Sequence, residues 1–101
     1  MNQQSLLTML ISLFQSVEEH LHNHNLEHAL SAVLLILACD RNNYYARAIE
    51  RRIKRVLDFQ QKPSDFSYSM KYYIATVIAA LENVCQMAVR FLMKISKETS
   101  S

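Results

Sequence analysis

Glycine is absent from all 101 residues of this sequence, and proline occurs once, at Pro63. Glycine provides the positive φ angles that tight hairpin turns and phosphate-binding loops require. Its absence argues against hairpin-rich sheets, P-loops and nucleophile elbows. An all-α chain remains, and its 50% apolar content is enough to build one core in a single domain covering residues 1–101.

Positive charge is missing from residues 1–40, which hold four acidic side chains and no Lys or Arg, a net charge of −4. Residues 41–101 hold all 11 basic side chains and five acidic ones, a net charge of +6. We expect the two halves to attract each other, within a chain or between chains. The basic half could instead meet an anion.

Several other features are scarce. The two cysteines, Cys39 and Cys85, lie in apolar runs, which predicts reduced thiols. The apolar stretch Leu6–Phe14 has no basic residues before it and no small-residue cleavage site after it, so we expect no signal peptide and a cytoplasmic location.

The sequence also lacks the zinc-protease motif H-E-x-x-H. We therefore predict no enzymatic activity, no cofactor and no metal.

Apolar periodicity predicts four helices. The first starts at a candidate N-cap, Ser5, and stops near the Asn-rich turn at residues 22–25. The second, Leu26–Cys39, is apolar almost all round and should be covered on most sides. The third runs from Tyr44, with Asn43 as its cap, to about residue 60. These three helices form a core unit at about residues 5–60.

Pro63 separates this unit from a long C-terminal helix at about residues 64–97, for which Ser64 or Asp65 is the candidate cap. Its apolar side chains recur at alternating steps of four and three, the spacing of a coiled-coil seam. We predict that this seam joins two copies in a homodimer. The self-association residues are Met70, Ile74, Val77, Leu81, Val84 and Ala88, with Phe91 and Ile95 continuing the pattern.

Residues 25–43 carry a recognisable pattern: a turn, a large apolar residue, an acid, then Ala with an aliphatic residue, and an Asp/Asn-rich exit. The matching positions are Leu26, Glu27, Ala29, Leu30, Val33, Ile36, Asp40, Asn42 and Asn43. This stretch resembles the second helix and exit turn of a tetratricopeptide (TPR) repeat, and the resemblance covers about one repeat, roughly residues 10–53. It implies an antiparallel helical hairpin and a protein-interaction module.

Three other patterns allow sharper interpretations. His20, His22, His24 and His28 could bind metal, but a solvated turn explains them better. Residues 72–93 are long enough to span a membrane, yet Glu82 lies near their middle, so we favour a packed helix. The basic face of the third helix could bind nucleic acid phosphates, although a solvated face, or one that meets Glu18, Glu19 and Glu27, is favoured. That face carries Arg47, Arg51, Lys54 and Arg55.

These observations predict a non-enzymatic assembly module, an adaptor or chaperone-like factor, that binds another protein and itself. Aromatic and arginine side chains are enriched at interfaces. The candidate partner-binding residues are Tyr44, Arg47, Arg51, Tyr68 and Tyr72. Nucleic-acid binding through the third helix is the alternative function.

Overall fold

The computed structural model describes residues 3–61 and 68–100, with side chains described for residues 5–60 and 70–98. In this part of the chain there are four α-helices and no strand. They are α1 (Gln3–His22), α2 (Leu26–Cys39), α3 (Tyr44–Gln61) and α4 (Tyr68–Ser100). The prediction of an all-α chain with four helices is confirmed.

Two helix boundaries differ from the prediction. Ser5 lies inside α1, two residues after its first residue, so the prediction that it caps this helix is wrong. The long C-terminal helix continues to Ser100, three residues beyond the predicted end. The predicted break at Pro63 and the candidate caps Ser64 and Asp65 lie outside the described residues.

The turn between α1 and α2 is a helix stop formed without glycine. The backbone N–H of Asn25 donates to the carbonyl of His20 at 2.8 Å, and that of His24 donates to Leu21 at 3.0 Å. These two bonds define a Schellman motif, whose central residue adopts the left-handed conformation that glycine usually supplies. Here that residue is His24, with φ 61°. The substitute for glycine is therefore a histidine, flanked by the asparagines that the sequence suggested.

The start of α3 is capped as predicted. Asn43 Oδ1 accepts a 2.9 Å hydrogen bond from the backbone N–H of Ala46, and Asn43 Nδ2 donates to Asp40 Oδ2 at 3.2 Å. An N-cap side chain of this kind satisfies one of the amide donors that have no partner in the first helical turn. The turn after α2 thus ends one helix and starts the next.

The helices are arranged as a ring around one core. Each helix contacts its two neighbours, α1 with α2 and α4, and α3 with α2 and α4, whereas the diagonal pairs do not meet within the described residues. Side chains from all four helices form the apolar centre. Its largest fully buried members are Phe14, Leu21, Ile36, Ile49, Ile53 and Leu81.

The direction of α4 follows from its side-chain contacts. Phe59 and Tyr45 of α3 meet Tyr73 and Phe91 of α4, respectively, so the order along one helix is reversed along the other. The described residues extend over 54 × 21 × 19 Å, and the longest dimension is close to the roughly 50 Å expected for a helix of this length. An elongated bundle built around α4 follows.

Candidate functional site

The α4 residues that pack into the core are not all those of the predicted dimer seam. The core side follows steps of four and three through Ile74, Ile78, Leu81, Cys85, Ala88 and Leu92. Three of the predicted self-association residues, Ile74, Leu81 and Ala88, are therefore buried inside their own chain and present no surface to a second copy. The other three, Met70, Val77 and Val84, are partly buried and pack against the core.

A second apolar stripe of α4 is left uncovered beside α3. Tyr73, Met87 and Phe91 are 41%, 50% and 43% exposed, respectively. Ring contacts of about 6 Å close the junction with α3 near its two ends, Phe59 with Tyr73 and Tyr45 with Phe91. We call this surface the outer stripe. It comprises Tyr73, Val77, Ala80, Val84, Met87 and Phe91.

The candidate partner-binding residues divide between the two ends of the bundle. Tyr44 is 78% exposed and edge-on to Tyr45, which places it near Phe91. Tyr72 is 72% exposed, but it lies 19 residues before Phe91 in the same helix, about 28 Å away along the axis. The structure does not bring the two tyrosines together. The side chain of Tyr68, in the first turn of α4, lies outside the described residues.

Arginine side chains cover the outward side of α3. Arg47 and Arg51 of the candidate set are exposed, and Arg47 Nε donates a 2.9 Å hydrogen bond to the carbonyl of Arg41. Lys54 Nζ pairs with Glu50 Oε2 at 3.1 Å, which neutralises part of the predicted phosphate-binding face. The remaining arginines line a shallow cavity of about 210 Å³ together with Ala48. They are Arg51, Arg52 and Arg55.

An acidic groove lies between α1 and α4. Gln86 Nε2 donates a 2.7 Å hydrogen bond to Glu18 Oε2, and His22 Nδ1 lies 3.2 Å from Glu82 Oε1. The groove has a volume of about 500 Å³ and is lined by Gln15, Glu18, Glu19, His22, Asn23, Glu82 and Gln86. The sequence placed the α1 acids on a polar face but did not pair them with Glu82, because the two helices are about 60 residues apart in the chain.

The acidic groove affects the thiol beneath it. Burial, and to a smaller extent the negative charges of Glu18 and Glu82, together raise the pKa of Cys85 to about 12. The thiol is therefore neutral and shielded at ordinary pH, as the prediction of a reduced core cysteine requires. Cys39 was expected in an apolar run as well, but it is exposed.

An apolar groove opens at the end of the bundle where α1 begins and α4 ends. The turn between α2 and α3 forms its third side, and the volume is about 480 Å³. Its apolar lining comes from Leu6, Leu7, Leu10, Tyr45, Phe91, Leu92 and Ile95, with Asp40, Asn42, Asn43 and Tyr44 at the turn. Periodicity could not indicate this groove, because it forms only where three segments meet.

The second helix is covered less completely than its composition suggested. Its buried side chains lie towards the core, but Leu34 and Leu35 are 46% and 57% exposed. The expectation that α2 is covered on most sides is therefore wrong for its outward face. A second uncovered apolar surface lies there, on the opposite side of the ring from α4.

The structure bears on two other interpretations of the sequence, a metal site at the histidines and a membrane span in α4. The rings of His20 and His28 lie 5.5 Å apart, yet within the described residues no group of three or more His, Cys, Asp or Glu side chains could hold a metal ion.

One described helix segment, Met70–Glu98, is long and apolar enough to cross a membrane, and 28% of its most apolar stretch is buried inside the protein. Core helices of soluble proteins meet the same criterion, so a span does not follow.

Comparisons with protein-family models, curated proteins and solved structures found no match to this chain. The resemblance of residues 10–53 to a TPR repeat therefore stays a prediction.

Proposed function

We propose that this chain is a non-enzymatic interaction module that binds a second copy of itself through the outer stripe of α4. The observation that carries the proposal is the exposure of Tyr73, Met87 and Phe91 beside a core that is already filled. Large apolar side chains that line up on one helix and stay in water are typical of protein-binding surfaces.

The size of the stripe fits an association of modest affinity. A half-exposed aromatic or methionine side chain leaves about 100 Å² in water. Burying three such side chains on each of two copies removes roughly 600 Å² of apolar surface from water, an area typical of weak or transient interfaces. The partly buried Val77 and Val84 add to the contact.

The resemblance to a TPR repeat supports the same class of function, a cytoplasmic adaptor or chaperone-like factor. A different protein would then bind at the exposed surface formed by Tyr44, Arg47 and Arg51 on α3. Tyr44 borders the apolar groove at the end of the bundle, so an apolar side chain of the partner can enter the groove while the arginines contact its acidic groups.

Met87→Glu tests self-association without touching the core. Met87 is half exposed, so a glutamate at this position is tolerated in the single chain. In the dimer its carboxylate would be buried with no positive charge or hydrogen-bond donor beside it. We expect the dissociation constant to rise by about tenfold or more, measured by sedimentation velocity over a range of protein concentrations at about 0.5 M salt, where surface charges are screened.

Ala75→Glu is the matched control. Ala75 is exposed on the same helix, and twelve residues before Met87 it lies about 120° away around the axis. This variant should associate like the wild type. Equal behaviour of the two variants, or a wild-type chain that stays monomeric at the highest concentration, would contradict self-association through the outer stripe.

Nucleic-acid binding is the second candidate, and the exposed arginine cluster on α3 favours it. Phosphate contacts release counterions, so affinity falls steeply with salt. For duplex DNA, Arg51→Gln/Arg55→Gln should lower the slope of log affinity against log salt by about two. If the wild-type chain binds no DNA or RNA at about 0.05 M salt, this function is excluded.

A further inference from the structure

In the described part of one chain, the acidic side chains of the first half of the sequence are not paired with the basic side chains of the second half. Within the described side chains, none of Glu18, Glu19 and Glu27 forms an ion pair with a basic residue of α3. For Glu18 and Glu19 the reason is geometric, because α1 and α3 are diagonal in the ring and do not meet within the described residues. Glu27 lies on α2, which does contact α3. The acidic groove and the arginine cluster therefore point to different sides of the bundle, and neither can neutralise the other in the same molecule.

The acidic groove presents two carboxylates at a defined spacing. Glu18 contacts Gln86 and His22 contacts Glu82, and each pair joins α1 to α4. Gln86 and Glu82 are four residues apart, so the two contacts lie one helical turn, or about 6 Å, apart along the groove. Each carboxylate has one oxygen engaged in these contacts and a second oxygen for another donor.

The arginine cluster of α3, formed by Arg51, Arg52 and Arg55, presents two side chains at the same spacing as the two groove contacts. Arg51 and Arg55 are both exposed and four residues apart on α3, so their backbones are also about 6 Å apart along the axis. Ala48 lies one turn before Arg52 and contributes to the same shallow cavity. Its small side chain allows another surface to approach the helix closely.

We propose that Arg51 and Arg55 of one copy dock into the acidic groove of a second copy, against Glu18 and Glu82. The groove, at about 500 Å³, has room for two guanidinium groups, which bind carboxylates in a two-pronged geometry that lysine cannot reproduce. This contact is distinct from the outer stripe and rests on the proposed function only in that the partner is again a second copy.

The contact is head-to-tail. One copy contributes α3, and the other contributes the junction of α1 and α4, so the pair keeps one unused groove and one unused α3 surface. Such heterologous contacts continue into rings or chains instead of stopping at two copies. Because the attraction is between charges at a solvent-accessible groove, it weakens with salt, whereas association through the apolar outer stripe persists.

Charge reversal in both directions tests the contact. Arg51→Glu/Arg55→Glu makes the α3 surface acidic, and Glu18→Lys/Glu82→Lys makes the groove basic. At about 0.02 M salt, we expect each variant alone to lose at least tenfold in the salt-sensitive association. An equimolar mixture should regain it, because every α3 surface then meets a groove of opposite charge. Sedimentation velocity measures both results.

Arg41→Glu/Lys71→Glu is the matched control, since both side chains are exposed, neither belongs to the groove, the arginine cluster or the outer stripe, and the change in net charge equals that of the arginine variant. This control should associate like the wild type. If the groove variant unfolds, as circular dichroism would show, Arg51→Gln/Arg55→Gln provides the test with the native groove. This glutamine variant should lose the same salt-sensitive association.

The result separates this inference from the proposed function. If reversed variants keep the wild-type association at low salt, or if their mixture fails to restore it, the groove contact is refuted while the outer stripe stands. Loss of the salt-insensitive component in Met87→Glu concerns the outer stripe alone. Absence of any association in the wild-type chain at low and high salt refutes both.

Discussion

Replacing Leu81 by alanine distinguishes a core helix from a dimer seam. Leu81 is fully buried in the centre of the four-helix ring, although its heptad position alone indicates an interchain contact. Leu→Ala changes in cores cost about 2–5 kcal/mol, the lost transfer free energy plus the cavity left behind. We expect about 3 kcal/mol here, a large share of the roughly 5–15 kcal/mol available to a domain of this size.

Urea unfolding followed by circular dichroism measures this loss, and thermal unfolding should show Tm lower by roughly 12–24 °C. The loss should be the same at low and high protein concentration, because the cavity forms within one chain. Met87→Ala is the control, and at a half-exposed site it should change the free energy of unfolding by about 0.5 kcal/mol or less.

Two results would refute this reasoning. A loss below about 1 kcal/mol for Leu81→Ala would mean that the side chain is not in a filled core. A loss that shrinks on dilution would mean that Leu81 is buried by a second copy, because the wild-type chain then loses the same contact when the copies separate. Either result would restore the interpretation of residues 70–88 as one continuous dimer seam.

Three further predictions concern single sites. Asn43→Ala should lower the free energy of unfolding by about 0.5–2 kcal/mol in urea titrations through loss of its bond to Ala46, whereas Asn43→Ser, which keeps a capping oxygen, should lower it less. His24→Gly should stabilise the chain by up to about 1 kcal/mol, because glycine adopts the left-handed conformation without steric cost; a lower Tm would contradict this. In the native chain the exposed Cys39 should react with a maleimide and the buried Cys85 should not. The pKa of Cys85 is raised from 9.0 to about 12, chiefly by burial. The neutral Cys85 thiol therefore contributes fully to the free energy of unfolding below pH 9, and this contribution is lost as the pH rises from 9 towards 12.

Much of the secondary structure was accessible from the sequence. The bounds of α2 at Leu26 and Cys39 agree with the prediction, because an Asn-rich turn and an Asp/Asn-rich turn enclose a mostly apolar segment. The cap at Asn43 was equally readable, since its side chain acts on an amide only three residues away. The wrong cap at Ser5 shows the limit of such signals, because a serine is also tolerated inside a helix.

The candidate surfaces were less accessible. The seam along α4 was predicted from its spacing to join two copies, but spacing alone cannot tell a seam from a core face, because only the positions of α1 and α3 decide which side of α4 is covered. That choice buried Leu81 and left Met87 and Phe91 in water. The acidic groove likewise required Glu82 to meet residues of α1, a contact over 60 positions that no periodicity encodes.

The sequence by itself determined that this chain is helical and where its helices stop, because the missing glycine, the polar turns and the apolar spacing act over a few residues. It also determined that opposite charges lie in different halves of the chain. Tertiary structure alone decided which apolar side chains are covered and which charges stay apart. Those outcomes depend on the order of helices around the ring, in which α1 and α3 do not meet in the part of the chain that the structure describes.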